Sequence, residues 1–315
     1  MICTELYDGQ GLGNQLWCYA VTRTIATDRS LDFGIQSMNK FKGKMFMDID
    51  PGQSPMGGEG PEGGPPTVLP DGILNYYKER TTIHPTVNCD ISKLDPQLQL
   101  VPDNTKIDGT MQSEDYILHR KDEISSWFKP NVKHEIDLPD DVCIIHVRGG
   151  DFAHQAEVFL QPSYYANAVN YMRSKHGDLR FLCVTDHPAL VNAILPGLPI
   201  VGSATTRTRD TIAASHHLGG PIEIDYTIMN RAKFLIIPNS SFSWWAAWTN
   251  SSIKDVIAPM YWARSNISDG YWSNGDSLVR GWNFLDRNGV VKDYELCKLE
   301  KDEFERLHSQ LWEKR

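Results

Sequence analysis

The sequence predicts an α/β protein of two lobes, each a parallel sheet flanked by helices. Three observations predict it. Apolar strand-like runs alternate with helix-like stretches along most of the chain, the pattern of right-handed crossover units. The chain has 315 residues, enough for two cores rather than one small one. A polar stretch from Pro130 to Pro139 separates two such series, so the first lobe is assigned to 1–129 and the second to 130–315.

Residues 2–7 (ICTELY) read as a strand, followed by the loop DGQGLGNQ and a helix from about Leu16 to Ala26. Residues 51–66 hold six glycines and five prolines. Such a composition packs no core, so this is a surface loop or a lid. Residues 106–128 carry a strand and a helix ending near Trp127 and Phe128. The second lobe opens with the buried-type strand at the start of VCIIHVRGGDF. A helix over 162–176 has Pro162 at its start and Gly177 just past its end. RFLCVTD is a second buried strand, 186–196 a helix, and 221–234 a helix containing Asp225. FLIIPNSS is a strand, FSWWAAW a helix, DVIAPMYW a strand, and 300–314 an amphipathic terminal helix.

Composition excludes several classes. Hydrophobic residues are 41% and charged residues 23%, ordinary for a folded globular chain. The net charge of −9 argues against non-specific nucleic-acid binding, which needs a basic surface. No run of eighteen apolar residues predicts a membrane span. Met1 leads straight into a strand, so no signal peptide is read, and a cytoplasmic location is expected. The cysteines (Cys3, Cys18, Cys89, Cys143, Cys183 and Cys297) form no CxxC pair, so neither a zinc site nor a disulfide framework is expected. The N-x-S/T triplets at Asn239, Asn250 and Asn266 are read as chance matches.

Four segments carry candidate chemistry. Gly11 and Gly13 lie between a strand and a helix, where a ligand approaches the backbone closely and free N–H groups face an anion. Asn14 and Gln15 can bond a hydroxyl or phosphate, or cap the helix; a plain tight turn explains the glycines equally well. His146-Val-Arg148-Gly149-Gly150-Asp151 follows an apolar strand, at the position where open α/β sheets bind ligands. Arg148 is a forked, permanent cation suited to a diphosphate; the plain reading is an ion pair with Asp151. Thr185-Asp186-His187 ends another strand, with Asp186 a ligand residue or a helix cap. Asn239-Ser240-Ser241-Phe242-Ser243 forms a polar nest at a helix start. Ser240, Ser241 and Phe242 are assigned to a ligand, and Trp244, Trp245 and Trp248 to the core. Asp48-Ile49-Asp50 has the D-x-D form, which is common by chance. No P-loop and no G-x-S-x-G elbow is present.

Together these segments resemble the inverting α-1,2-fucosyltransferase family, whose members use GDP-fucose. QGLGNQLWCYA resembles its glycine block and IIHVRGGD its H-x-R-R-x-D block. The stretch from Asp225 through Met229 and Lys233 into IIPNSSFSWWAAW resembles its most distinctive block, and VIAPMYW follows in order. DGTMQSEDYI and PSYYANAV are similar to intervening segments. The resemblance implies the GT-B arrangement, two Rossmann-like lobes with a cleft between them and no required metal or other cofactor. It implies that the first lobe serves the acceptor and the second the nucleotide sugar. It places His146 and Arg148 at the donor diphosphate and Asp225 at the guanine or ribose. Ser240, Ser241 and Phe242 line the phosphate and fucose site, Asn14 reaches in from the other lobe, and Asp186 matches a further carboxylate. Gly149 departs from the family, which carries a second arginine there. In related O-fucosyltransferases a single arginine suffices.

The reaction expected is direct displacement: an acceptor hydroxyl attacks the anomeric carbon as GDP leaves. Arg148 stabilises the leaving charge, and Asp151 or Glu157 takes the proton. The expected partners are a nucleotide sugar and an oligosaccharide acceptor, with α-1,2 linkage to galactose. The alternatives are a transferase of the same fold using another nucleotide sugar, and an inactive glycan-binding protein.

Overall fold

The structure, a computed structural model, describes residues 1–53, 69–80, 82–83, 90–91, 94–131, 136–150, 152–156, 158–202, 222–262 and 277–307. The loop at 51–66 and residues Asp151 and Glu157 lie largely or wholly outside these. The chain forms two compact units. One is built on Met1–Lys129 and the other on Pro130–Ser273 and Leu278–Phe304.

The first unit opens with β1 (Ile2–Glu5), buried along its length, and α1 (Leu12–Asp28), which packs on it. Then come β2 (Phe33–Gln36), β3 (Asn75–Lys78), the paired two-residue strands β4 (Thr82–Ile83) and β5 (Asp90–Ile91), β6 (Thr105–Asp108) and α2 (Lys121–Trp127). The main sheet has the order β2-β1-β6-β3 and is parallel throughout. α1 starts inside the glycine block, at Leu12 rather than near Leu16. Gly11 takes the N-cap with φ −69° and ψ 158°.

One pair in this sheet could not be read from spacing. Lys106 Nζ lies 2.7 Å from Glu5 Oε2, with side chains 0% and 2% exposed. Ser37 Oγ donates to Glu5 Oε1 at 3.1 Å. A charge is tolerated at such depth only when paired and hydrogen-bonded.

The second unit runs β7 (Val142–Val147), α3 (Pro162–His176), β8 (Arg180–Thr185), α4 (Pro188–Ile194), α5 (Ile222–Arg231), β9 (Phe234–Ile236), α6 (Ser241–Trp248), β10 (Asp255–Pro259), β11 (Asn283–Leu285), β12 (Val291–Asp293) and α7 (Tyr294–Leu307). The sheet order is β12-β11-β10-β9-β7-β8. Its pairs are parallel except β11 with β12. α7 begins at Tyr294, earlier than the pattern at 300–314 suggests. β7 is buried at all six positions because helices cover a parallel sheet on both faces. Ile145, Phe181, Cys183, Ile236, Tyr165 and Met172 share one core cluster with it.

Both units are therefore α/β with parallel sheets, as the alternation predicts. Cys3, Cys18, Cys143, Cys183 and Cys297 are buried free thiols. Among the described residues no helix is long and apolar enough to cross a membrane.

Candidate functional site

In the second unit the chain passes from β7 to β8 on one side, then returns past β7 to β9 and continues outward. The direction of winding thus reverses between β7 and β9. The crevice beyond the carboxyl ends of strands at such a reversal is where open α/β sheets take ligands. Three adjacent strand ends meet there. β7 delivers His146 and Arg148, β8 delivers Asp186, and β9 delivers Asn239 and Ser240.

Arg148 Nη1 pairs with Asp186 Oδ2. The other carboxylate oxygen, Asp186 Oδ1, accepts the Gly149 N–H at 2.7 Å. Arg148 remains 35% exposed. Asp186 from the next strand is thus a partner of Arg148, while the expected partner Asp151 lies outside the described residues. Asp186 is not the cap of α4. That place belongs to His187, whose Nδ1 accepts the Leu190 N–H at 3.1 Å. Freed from capping, Asp186 orients the arginine. Phe152 lies under the guanidinium, 5.6 Å from Arg148 Cζ to the ring centroid.

The glycines after Arg148 are dictated by space. A Cβ on Gly149 would sit 2.4 Å from His187 Cβ and 3.1 Å from Leu190 Cδ2. Gly150 has φ +33°, and a Cβ there would lie 2.8 Å from Asp186 Oδ2. The missing second arginine is thus replaced by close packing of the strand end on α4.

His146 is buried beside this pair. Burial pushes its pKa down from the usual 6.5 to about 4; the Asp186 charge opposes that shift and the Arg148 charge adds to it. At neutral pH His146 is an uncharged hydrogen-bonding group. Its ring meets Phe242 with centroids 6.1 Å apart, and Phe242 in turn meets Tyr226 at 5.7 Å. Phe242 therefore ties the end of β7 to α5, which carries Asp225. That carboxylate is 8% exposed. It sits against Gly202, whose φ is +84° and where a Cβ would fall 2.3 Å from Asp225 Oδ1.

Ser240 holds the N-cap position of α6 with extended backbone and no cap bond from its side chain. The first intrahelical bond runs from Trp244 N to Ser240 O at 2.9 Å. The amides of Ser241, Phe242 and Ser243 precede that bond, the positions at which a helix start can donate to an anion. Trp244, Trp245 and Trp248 are buried. Trp244 and Trp248 stack at 5.6 Å and 15°, and Trp282 packs on Trp244 at 6.0 Å. The core assignment of these three tryptophans is what the structure shows.

Gly11, Gly13, Asn14 and Gln15 belong to the first unit. A Cβ on Gly11 would meet nothing within 4 Å, so neither packing nor its ordinary φ requires glycine there. Asn14 Oδ1 accepts from Gln112 Nε2 at 3.0 Å. Gln15 departs from the expected donor contact. It is fully buried, its Nε2 donates to Lys40 O at 2.9 Å, and its Oε1 accepts from Lys42 N at 2.9 Å. Both ends of its amide hold the 40–42 loop. Asn239 reads from sequence as part of the polar nest, without a ligand contact assigned to it. Its 4% exposure at a strand end of the site marks it.

The family model described as Glycosyl transferase family 11 matches residues 105–286, more than half of the chain. The chain belongs to glycosyl transferase family 11. It resembles an α-1,2-colitosyltransferase of Escherichia coli, with 28% identity over 49% of this chain and 54% of that protein. It also resembles the O-antigen biosynthesis glycosyltransferase WbnK of Escherichia coli, with 26% identity over 39% of each. The chain thus spans about half the length of the first of these curated relatives and less of the second. Among solved structures it is similar to the fucosyltransferase NodZ from Bradyrhizobium, with 14% identity, TM-score 0.44, and coverage of 81% of this chain and 94% of that one.

Proposed function

We propose that this protein is an inverting fucosyltransferase that moves L-fucose from GDP-β-L-fucose to a hydroxyl of a glycan, with α-1,2 linkage to galactose. The observation that carries the reading is the Arg148–Asp186 pair at the sheet's reversal point. A preset cation there meets the charge that builds on a departing diphosphate and needs no reorganisation as the bond breaks. The α6 amides beside Ser240 and Ser241 add donors to the same anion. His146 contributes a neutral hydrogen bond, Phe242 an apolar wall, and Asp225 a carboxylate for ribose or guanine.

In the displacement, the acceptor oxygen forms a bond to the anomeric carbon as that carbon's bond to the diphosphate oxygen breaks. The electron pair leaves with GDP, and the acceptor proton passes to a base. Asp151 and Glu157 follow Arg148 in the chain and are assigned that role on sequence position. Arg148 supplies the cation at the leaving group, so transfer is expected to continue in EDTA. Abolition by EDTA with rescue by Mg²⁺ or Mn²⁺ would remove this part of the reading.

Arg148→Ala is expected to lower kcat by about 10²- to 10³-fold, the scale of losing one preset charge-stabilising donor. Turnover of GDP-fucose near the wild-type rate would sink the assignment.

The relative named for colitosyl transfer favours a second donor. Colitose is fucose without the 3-hydroxyl, so the two donors differ by one polar group. Parallel assays with GDP-fucose and a colitosyl donor decide between them by kcat/KM. Binding of glycan without turnover of either donor would instead support a carbohydrate-binding protein on the transferase fold.

A further inference from the structure

Two buried polar atoms at the reversal point have no hydrogen-bond partner: His146 Nδ1 and Asn239 Oδ1. Both residues are 4% exposed. Such atoms are rare in folded proteins, because each one left unmet forfeits the hydrogen bond it made to water. Two on neighbouring strand ends mark a place completed by a ligand.

The Asn239 amide is held in one orientation. Its Nδ2 donates to Val158 O at 2.9 Å, which identifies the free end as oxygen. Asn239 therefore joins the end of β9 to the segment that follows Arg148 and leaves a buried, unpartnered acceptor-only atom at the strand ends. An ionised diphosphate carries only acceptors. It can accept a hydrogen bond from His146 Nδ1–H, but it offers nothing to Asn239 Oδ1. The group that satisfies Asn239 must bring its own hydrogen while lying beside the diphosphate. In a nucleotide sugar the hydroxyls that flank the diphosphate do so, on the transferred sugar at one end and on the ribose at the other.

We propose that Asn239 Oδ1 accepts a hydrogen bond from a hydroxyl of the bound nucleotide sugar, making Asn239 a specificity-determining residue of the site. This rests on the donor reading given above. Arg148 and the α6 amides bind any diphosphate. Asn239 distinguishes what the diphosphate is attached to.

The test is a cycle of protein and ligand deletions measured by titration calorimetry. Wild type and Asn239→Ala are titrated with GDP-fucose, with its deoxy-sugar analogues, with GDP and with 2′-deoxy-GDP. Asn239→Ala is expected to weaken GDP-fucose roughly tenfold. One deoxy ligand is expected to lose the same factor in the wild type and to lose nothing more in the variant. A deoxy-sugar ligand in that role assigns the hydroxyl to the transferred sugar, and 2′-deoxy-GDP assigns it to the ribose. Equal losses for every deoxy ligand in both proteins overturn the inference, as does unchanged GDP-fucose binding by the variant. Asn239→Ser enters the same cycle if the alanine variant does not fold. A wild type that binds neither GDP nor GDP-fucose overturns the donor reading and this inference together, whereas normal wild-type binding without coupling overturns this inference alone.

Discussion

At the residue scale, Gly149 is the most instructive position. The family's second arginine is absent, and the structure shows why it cannot simply be restored. His187 Cβ stands 2.4 Å from where any Cβ at 149 must go. His187 is held in place as the cap of α4 and by its N–H bond to Thr185 Oγ1 at 3.0 Å. Gly149→Arg is therefore expected to destabilise the protein by about 1–3 kcal/mol, the range for overpacking a fitted contact, without tightening GDP. Thermal melts with and without GDP check this. A variant that melts at the wild-type temperature and binds GDP more tightly would show that the α4 cap yields easily.

At the element scale, α6 carries ligand groups at its first turn and core anchors in the rest. Trp244 fills a site bounded by Trp245, Trp248 and Trp282. Trp244→Ala is expected to lower stability by about 3–5 kcal/mol, with GDP affinity falling only as far as the first turn of α6 loses its position. Denaturant unfolding and GDP titration of the same variant separate the two effects. The elements that position this site were legible because their signals are long. β7, β8 and α3 have unbroken apolar runs or a proline start with a glycine stop, and the serines before three tryptophans announce α6. The short strands were not legible. β2, β3, β11 and β12 span three or four residues each, too few for a period to show. The early start of α1 was hidden because glycines lower helix propensity while burial of Gln15 supports the turn. The Arg148–Asp186 contact was hidden for another reason. Its partners are on different strands, and only the β7–β8 register brings them together. From sequence, Asp186 read equally well as a helix cap, and that competing local role disappears only when His187 is seen to fill it.

At the scale of the whole molecule, the two units carry opposite pH dependences. In the second, His146 is buried with its pKa lowered to about 4. The stability this contributes is complete above 6.5 and is lost as pH falls towards 4, because the unfolded chain takes the proton first. In the first, burial raises the Glu79 carboxyl to about 7, against hydrogen bonds from Met111 N at 2.7 Å and Tyr116 OH at 3.1 Å. Here the contribution is complete below 4.5 and is lost as pH rises through 7. Between about pH 4.5 and 6.5 the two slopes oppose each other. Acidification from pH 7 to 5 is thus expected to stabilise the first unit and weaken the second. Calorimetric scans at the two pH values test this by the direction in which each transition moves. His146→Asn should flatten the acid-side loss. Transitions that move together would show that neither group governs its unit's titration.

The stacked indoles of α6 have an optical consequence. Two chromophores 5.6 Å apart and nearly parallel share their excitation, and the coupling vanishes when they separate. With Trp245 at 77° and Trp282 at 57° to Trp244, the cluster should therefore give circular-dichroism couplets that report on α6 and the indole packed on it. Because the first turn of the same helix is the proposed anion site, a change in the couplets on adding GDP would signal occupancy without any label, and in a mutant it would separate an empty site from a collapsed one.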